Sequence, residues 1–263
     1  MSVSRPEPIR VLHADGRATT GLRDVAVEVP VAIEVDGLGY AVMMMTPRDL
    51  DVFALGFMLT ERLADTAADV EDIDVFAAEA GWIVRVALAA HCRPRIHDRV
   101  RHRSSDTGCG LCGIASLEQL VRPVRQRPPC PAVEPAAIFA ALAAIRAHQR
   151  LNAATGAVHA AAACTTDGAI AAIFEDVGRH NALDKLIGAQ ARASAGSAFT
   201  LVTSRISFEM VDKALVAATP LLVGISAPTS LALDHARAHG LTLIALARSD
   251  AMLVMNDPFA AFA

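Results

Sequence analysis

Residues 107–113 read Thr-Gly-Cys-Gly-Leu-Cys-Gly, placing the thiols of Cys109 and Cys112 at i and i+3 among glycines. Two cysteines so spaced can share a proton, a sulfur atom or a metal ion. The thiolate is the reactive form in each case, and the arginines at 93, 95, 99, 101, 103, 122, 125 and 127 supply positive charge that favours it. A zinc site would need Cys92 and Cys130 as further ligands, but zinc ribbons bring a second close pair and these two stand singly. A thioredoxin-type pair follows the first strand of a βαβ unit, and this pair has no such setting. Cys109 and Cys112 are therefore expected to be reactive and metal-free, with a zinc or redox module as the alternative.

A second group lies in Asp176-Val177-Gly178-Arg179-His180-Asn181-Ala182-Leu183-Asp184-Lys185. On a helix opened by Gly178, His180 and Asp184 share one face and Asn181 and Lys185 another. The plain reading makes Asp176 a cap over a solvated first turn. Lysine usage points further, because Lys185 and Lys213 are the only lysines of the chain and each follows an aspartate. An ammonium is being used where arginine supplies every other basic side chain. His159, in Gly156-Ala157-Val158-His159-Ala160-Ala161-Ala162, reads as a buried histidine satisfied by backbone. A zinc deaminase would need His-x-Glu followed by Pro-Cys-x-x-Cys, and here Ala161 replaces the glutamate while the cysteine pair comes first. There is no Walker A sequence. Arg179, Arg205 and Arg248, each beyond an apolar strand-like run, are the candidate anion site.

The elements that must carry these residues follow from periodicity. Residues 25–35 alternate loosely into Asp36-Gly37, a hairpin signal, and residues 40–45 return as the second strand. Thr46 is expected to cap, with Pro47 in the first turn, a helix running to about Leu63. Residues 74–76 and 82–88 add strands, and together these make a small N-terminal α+β domain over 1–105. Residues 106–133 are the Cys-x-x-Cys loop and a stiff Pro-rich linker. Beyond it, 134–263 begins with an Ala-rich helix at 134–152 and then alternates. Strands are expected at 169–174, 199–203, 221–225 and 241–246, and helices at 180–193, 208–218 and 230–239. Such alternation predicts an α/β sheet with parallel members covered on both faces, and ligands in such sheets sit beyond the carboxyl ends of the strands.

Composition excludes several classes. With 24 Lys+Arg against 28 Asp+Glu, the net charge of −4 argues against broad nucleic-acid binding. Charged and polar residues interrupt every apolar stretch short of the ~20 residues a membrane span requires. Five cysteines, an odd number, and no apolar run behind a basic head in residues 1–23 point to a reducing, cytoplasmic setting.

GCGLCG, GAVHAAA, EDVGRHNALDKLIG, TSRISFEMVDKA and SAPTSLALDHARAHGLTLIALAR, with TPRDLDVFALGFMLTE before them, resemble the FdhD family of formate dehydrogenase accessory sulfurtransferases from about residue 25 to 248. The resemblance implies that persulfide sulfur from a cysteine desulfurase is delivered to the molybdenum or tungsten bis(molybdopterin guanine dinucleotide) cofactor destined for formate dehydrogenase. It implies a C-terminal domain of cytidine-deaminase-like, three-layer α/β/α fold with a mixed sheet and no zinc, and a homodimer. By position Cys109 matches the persulfide-bearing cysteine and Cys112 its partner, and Leu246, Ala247, Arg248, Ser249, Asp250 and Ala251 match the segment that contacts the cofactor. Arg179, His180, Ser204 and Arg205 join them as candidate cofactor contacts. The chain departs from the family where Leu246 replaces a common Phe, where a second arginine near Ala251 and a Tyr near Met255 are absent, and where Arg62 stands at a common glycine. A chaperone that holds the cofactor without sulfur chemistry is the other functional class.

Overall fold

The computed structural model describes residues 2–96 and 128–262. Cys109, Cys112 and the arginines at 99, 101, 103, 122, 125 and 127 lie outside the described residues. The chain opens with an antiparallel hairpin, β1 (Ser4–Leu12) and β2 (Ala18–Ala26), which the sequence reading did not anticipate. Most of its residues are exposed on both faces, so it carries no apolar alternation to detect. β3 (Val29–Val35) and β4 (Leu38–Met45) follow, joined at Asp36 and Gly37 with φ of 46° and 79°, the left-handed pair that a two-residue hairpin needs. Val31, Ile33 and Val35 are fully buried in alternation along β3. β5 (Val70–Ala78) and β6 (Gly81–Leu88) complete a four-stranded sheet in the order β4-β3-β6-β5, with β3 and β6 parallel.

Between the two hairpins of that sheet, α1 (Leu50–Thr60) is apolar almost all round and buried from Phe53 to Thr60. Thr46 does not cap it: the N-cap is Asp49, at φ 54°, with no side-chain hydrogen bond. The helix stops at Thr60 rather than near Leu63, because Arg62 turns left-handed (φ 58°). Its N–H donates to Leu59 O and that of Leu63 to Met58 O, at 2.9 and 2.8 Å. That is the Schellman closure usually given to glycine.

Beyond residues 128–134, which form no helix or strand, come α2 (Pro135–His148), α3 (Arg150–Thr155), β7 (His159–Cys164), β8 (Ile170–Asp176), α4 (Arg179–Ala193) and β9 (Phe199–Val202). α5 (Phe208–Val216), β10 (Leu221–Gly224), α6 (Ser230–His239), β11 (Thr242–Ala245) and β12 (Leu253–Asn256) end the chain. The expected single helix over 134–152 is broken at Gln149 (ψ 71°), because both oxygens of Glu175 on β8 accept from the N–H groups of Leu151 and Asn152 at 2.8 Å. The second sheet has the order β12-β11-β10-β9-β7-β8, with β9, β10 and β11 parallel and β7 and β12 antiparallel to their neighbours. It is a mixed sheet in a three-layer α/β/α arrangement. Ala162, Cys164, Leu201, Val223 and Ile244 pack with α2 on one face. Ala161, Ala163, Val202, Leu222 and Leu243 face α4, α5 and α6, in a core continuous with α1 and the four-stranded sheet.

α1 and α4 touch backbone to backbone. A Cβ on Gly56 would overlap the carbonyl oxygen of Asp184, and one on Gly188 the carbonyl oxygen of Val52. Overpacking a tight contact costs about 1–3 kcal/mol, occasionally more, and backbone oxygens cannot step aside. Gly56→Ala and Gly188→Ala are each expected to lose ~3 kcal/mol or more in urea unfolding. Gly39→Ala, with open space around it, is the control and should stay within about 0.5 kcal/mol. Equal stabilities in all three would refute a close helix crossing.

Candidate functional site at the carboxyl edge of the mixed sheet

Because β8, β9, β10 and β11 run the same way, their carboxyl ends share one edge, and antiparallel β7 begins there with His159 opposite Asp176. The loops beyond these strands are hydrogen-bonded to one another. Ile206 N–H donates to Ala227 O and Thr229 N–H to Ile206 O; Leu246 N–H donates to Ser226 O and Ala247 N–H to Gly224 O, all within 3.0–3.2 Å. Thr203 Oγ1 accepts from Ala160 N–H at 2.8 Å and ties the start of β7 to the same rim.

This edge gathers Arg179 and His180 after β8, Ser204 and Arg205 after β9, and the segment from Leu246 to Ala251 after β11. Arg179 and Arg205 both lie close enough to His159 to help hold its imidazole below its ordinary pKa, after burial as the larger cause. His159 is half-buried and has no hydrogen bond among the described residues, so it is not the backbone-satisfied core histidine that the sequence suggested. The Nε of Arg179 is buried without an acceptor among the described residues. α4 opens beside it with Gly178 as N-cap and no side-chain cap, leaving its first N–H groups directed at the edge. Ser204 is buried and its Oγ donates to Arg205 O at 3.1 Å, whereas Arg205 itself is exposed. Leu246 sits at φ 49°, a left-handed strain at the strand end, Ala247 is buried, and Arg248, Ser249, Asp250 and Ala251 are exposed. The turn is closed by Arg248 N–H donating to Ala251 O at 2.8 Å.

His180 has neighbours that sequence did not reveal. Its Nε2 lies 3.4 Å from Ser207 Oγ and 3.9 Å from Glu209 Oε2. One ring nitrogen faces both, so these three residues do not form a relay from acid through imidazole to hydroxyl. Burial, with Lys213, Arg179 and His159 adding repulsion, drives His180 down to about 3. The edge is thus positive through its arginines, with neutral imidazoles between them.

What fixes this geometry lies beneath it. Asp176 is fully buried rather than capping a solvated turn. Its Oδ1 accepts from Gly178 N–H (2.8 Å) and Asn181 Nδ2 (3.0 Å), and its Oδ2 from Lys185 Nζ (2.6 Å) and Thr46 N–H (3.2 Å). Thr46 Oγ1 accepts in turn from Val177 N–H at 3.2 Å, which is the work this residue does in place of capping. A second buried pair joins Lys213 to both oxygens of Asp184, at 2.9 and 2.8 Å, with Thr60 Oγ1 as the third acceptor at 2.9 Å. Burial raises the Asp184 carboxyl, and Lys213 and Thr60 work against it. Both lysines singled out by sequence are thus structural cations. Of the described thiols, Cys92 and Cys164 are buried and Cys130 is exposed. Burial pushes Cys164 up to about 12, out of reach of thiolate chemistry.

The FdhD/NarQ family model matches residues 26–260 of the chain. The chain is similar to proteins named sulfur carrier protein FdhD, at 44% identity to that of Variovorax paradoxus (89% of this chain and 85% of that one). It is likewise 44% identical to that of Xanthomonas axonopodis pv. citri (94% and 88%). In fold it is similar to a crystal structure described as a formate dehydrogenase accessory protein from Desulfotalea psychrophila. That match has a TM-score of 0.76 and 24% identity, over 98% of this chain and 99% of that one. Among the described residues, no helix is long and apolar enough to cross a membrane.

The state of His180 sets a pH dependence. Its folded pKa of about 3 lies below the ordinary imidazole value of 6.5, so between these limits the unfolded chain binds the extra proton. Stability is therefore expected to rise with pH from about 3 to 6.5, and the His180 contribution to that slope should vanish in His180→Gln. Imidazole nitrogen shifts should report a neutral ring at pH 5. A His180 titration midpoint near 6.5 would contradict this arrangement.

Proposed function

The chain belongs to the FdhD/NarQ family, and from that premise we propose that it is a sulfurtransferase serving formate dehydrogenase. It takes persulfide sulfur from a cysteine desulfurase and passes it to the molybdenum or tungsten bis(molybdopterin guanine dinucleotide) cofactor, its substrate, in the cytoplasm and as a homodimer. The curated relatives carry the name sulfur carrier protein, and Cys109-Gly110-Leu111-Cys112 supplies the thiols the chemistry needs. Cys109 thiolate attacks the outer sulfur of the desulfurase persulfide, forming Cys109-S-SH as the desulfurase cysteine leaves as thiolate. Attack by Cys112 on the Cys109 sulfur then releases hydrosulfide. The sulfane sulfur is reduced and the two thiols close to a disulfide, which a cellular thiol resets.

One observation supports putting the nucleotide end of the substrate at the sheet edge: a buried guanidinium nitrogen, Arg179 Nε, has no acceptor among the described residues and lies beside a helix N-terminus with no side-chain cap. Phosphate oxygens satisfy both. Arg205 and Arg248, from the next loops of the edge, supply further charge, the exposed polar groups of Ser249 and Asp250 are available to the base and ribose, and buried Ser204 orients the Arg205 backbone. Neutral His180 donates or accepts a hydrogen bond without adding charge. Leu246, in the left-handed region at φ 49°, begins the 246–251 segment.

Two measurements test the halves separately. Removing one charge-assisted hydrogen bond costs ~1.5–3 kcal/mol, so Arg179→Gln and Arg248→Ala should each weaken GDP by roughly 10–150-fold in calorimetry. Unchanged affinity would take that arginine out of the site. After incubation with desulfurase and cysteine, mass spectrometry should find a labile sulfur on the wild-type chain and none on Cys109→Ala, while Cys112→Ala loads but delivers poorly. A protein that binds GDP yet never gains sulfur would be the cofactor chaperone instead.

A further inference from the structure

A cluster far from the sheet edge in sequence carries a second chemistry. Asp69, His91 and Cys92 place one carboxylate oxygen, one imidazole nitrogen and one sulfur within 4.8 Å of one another. We propose that these three residues form a site for a borderline-soft divalent ion such as zinc, with water completing the coordination. Neither the family resemblance nor the sulfur-transfer chemistry uses this cluster, and it does not involve Cys109 or Cys112.

The backbone beneath it is already arranged. Ala89 N–H donates to Asp69 O and Cys92 N–H to Ala89 O, both at 2.8 Å, so the turn that carries His91 and Cys92 is bonded directly to the turn that ends in Asp69. The Asp69 carboxylate is oriented as a ligand would be. Its Oδ2 accepts from the N–H groups of Asp65 and Thr66 at 2.9 and 2.8 Å, which leaves Oδ1 turned to His91 Nε2 at 3.3 Å. Such outer hydrogen bonds fix a ligating carboxylate. Cys92 is fully buried, whereas the His91 side chain is 61% exposed, so the group reaches solvent through His91. Metal–donor bonds of about 2.0–2.3 Å in a tetrahedron set donor atoms roughly 3.3–3.8 Å apart, so closure needs about one ångström of movement. Sulfur and imidazole together select zinc or cobalt over magnesium or calcium. Burial pushes the Cys92 thiol up, so the metal displaces a proton when it binds. The same three residues without a metal would be a plain Asp69–His91 ion pair beside a core cysteine.

Cobalt(II) separates these outcomes, because a thiolate ligand gives it an intense near-ultraviolet charge-transfer absorption. The titration is run on the Cys109→Ser/Cys112→Ser double variant, so that the result is independent of the sulfur-transfer assignment. One equivalent of Co(II) with that absorption is expected, displaced by Zn(II). Adding Cys92→Ser should abolish the absorption, and adding His91→Ala, at an exposed position that leaves folding intact, should weaken binding at least ten-fold. No thiolate absorption in the double variant, an absorption that survives Cys92→Ser, or unchanged affinity in His91→Ala would each overturn the proposal. Should Cys92→Ser fail to fold, the His91→Ala titration decides the matter.

Discussion

Placing an ammonium and a carboxylate inside a protein removes several kcal/mol of hydration from each ion, and their attraction restores it only when nearly every donor and acceptor finds a partner. The crossing of α1 and α4 meets that condition twice. All three protons of Lys213 are used, on both oxygens of Asp184 and on Thr60, with the Phe57 ring 5.6 Å away. Asp176 accepts four hydrogen bonds. Three donors on a compact head match these acceptors, whereas a guanidinium would bring five and a larger plane. The contact also requires Gly56 and Gly188, since any side chain there would push the helices apart. Arg179 and His180 open α4 directly after the turn that Asp176 anchors, so the sheet edge inherits its position from this buried layer.

The two Asp-Lys dipeptides work as a chain. Neighbouring residues on a helix cannot face the same way, so Lys185 turns to Asp176 while Asp184 turns to Lys213. Asp212, beside Lys213, turns outward to Arg62 and His235. That last contact explains a departure from the family pattern. A side chain in the left-handed region costs about 1–2 kcal/mol, but Arg62 makes two hydrogen bonds to Asp212, at 2.7 and 2.8 Å, from a position 14% exposed. Arg62 and His235 together hold Asp212 well below the usual carboxylate range against its burial. Local strain at the end of α1 is offset by a tether to α5.

Elements whose sequence pattern matches their own burial were legible. Asp36-Gly37 marks its hairpin because only that backbone conformation joins the two strands, and the parallel strands stand out as short apolar runs ending in polar residues. Convergence of Arg179 and Arg205 followed from that alternation. What was not legible depends on partners distant in the chain. β7 is mostly alanine, a residue with no strand preference of its own, and becomes a strand because β8 and β9 pair with it on both sides. The break between α2 and α3 is imposed by Glu175, and Thr46 bonds to Asp176 and Val177, 130 and 131 residues away, rather than capping the helix four residues on. The lysines announced a special role by their rarity, but nothing local told a buried structural cation from a reactive one. Cys92 looked like a solitary thiol because Asp69 is brought to it only by the turn before β5.

The concentration of both lysines in the interior leaves the native surface without a side-chain amine. Acylating reagents and amine crosslinkers, which read most proteins from outside, meet here a surface whose basic side chains are guanidiniums and imidazoles. Modification of Lys185 or Lys213 then reports the rare opening of the α1–α4 crossing rather than accessibility. The protein carries, in its own composition, a chemical clock for the unfolding of its most highly charged interior.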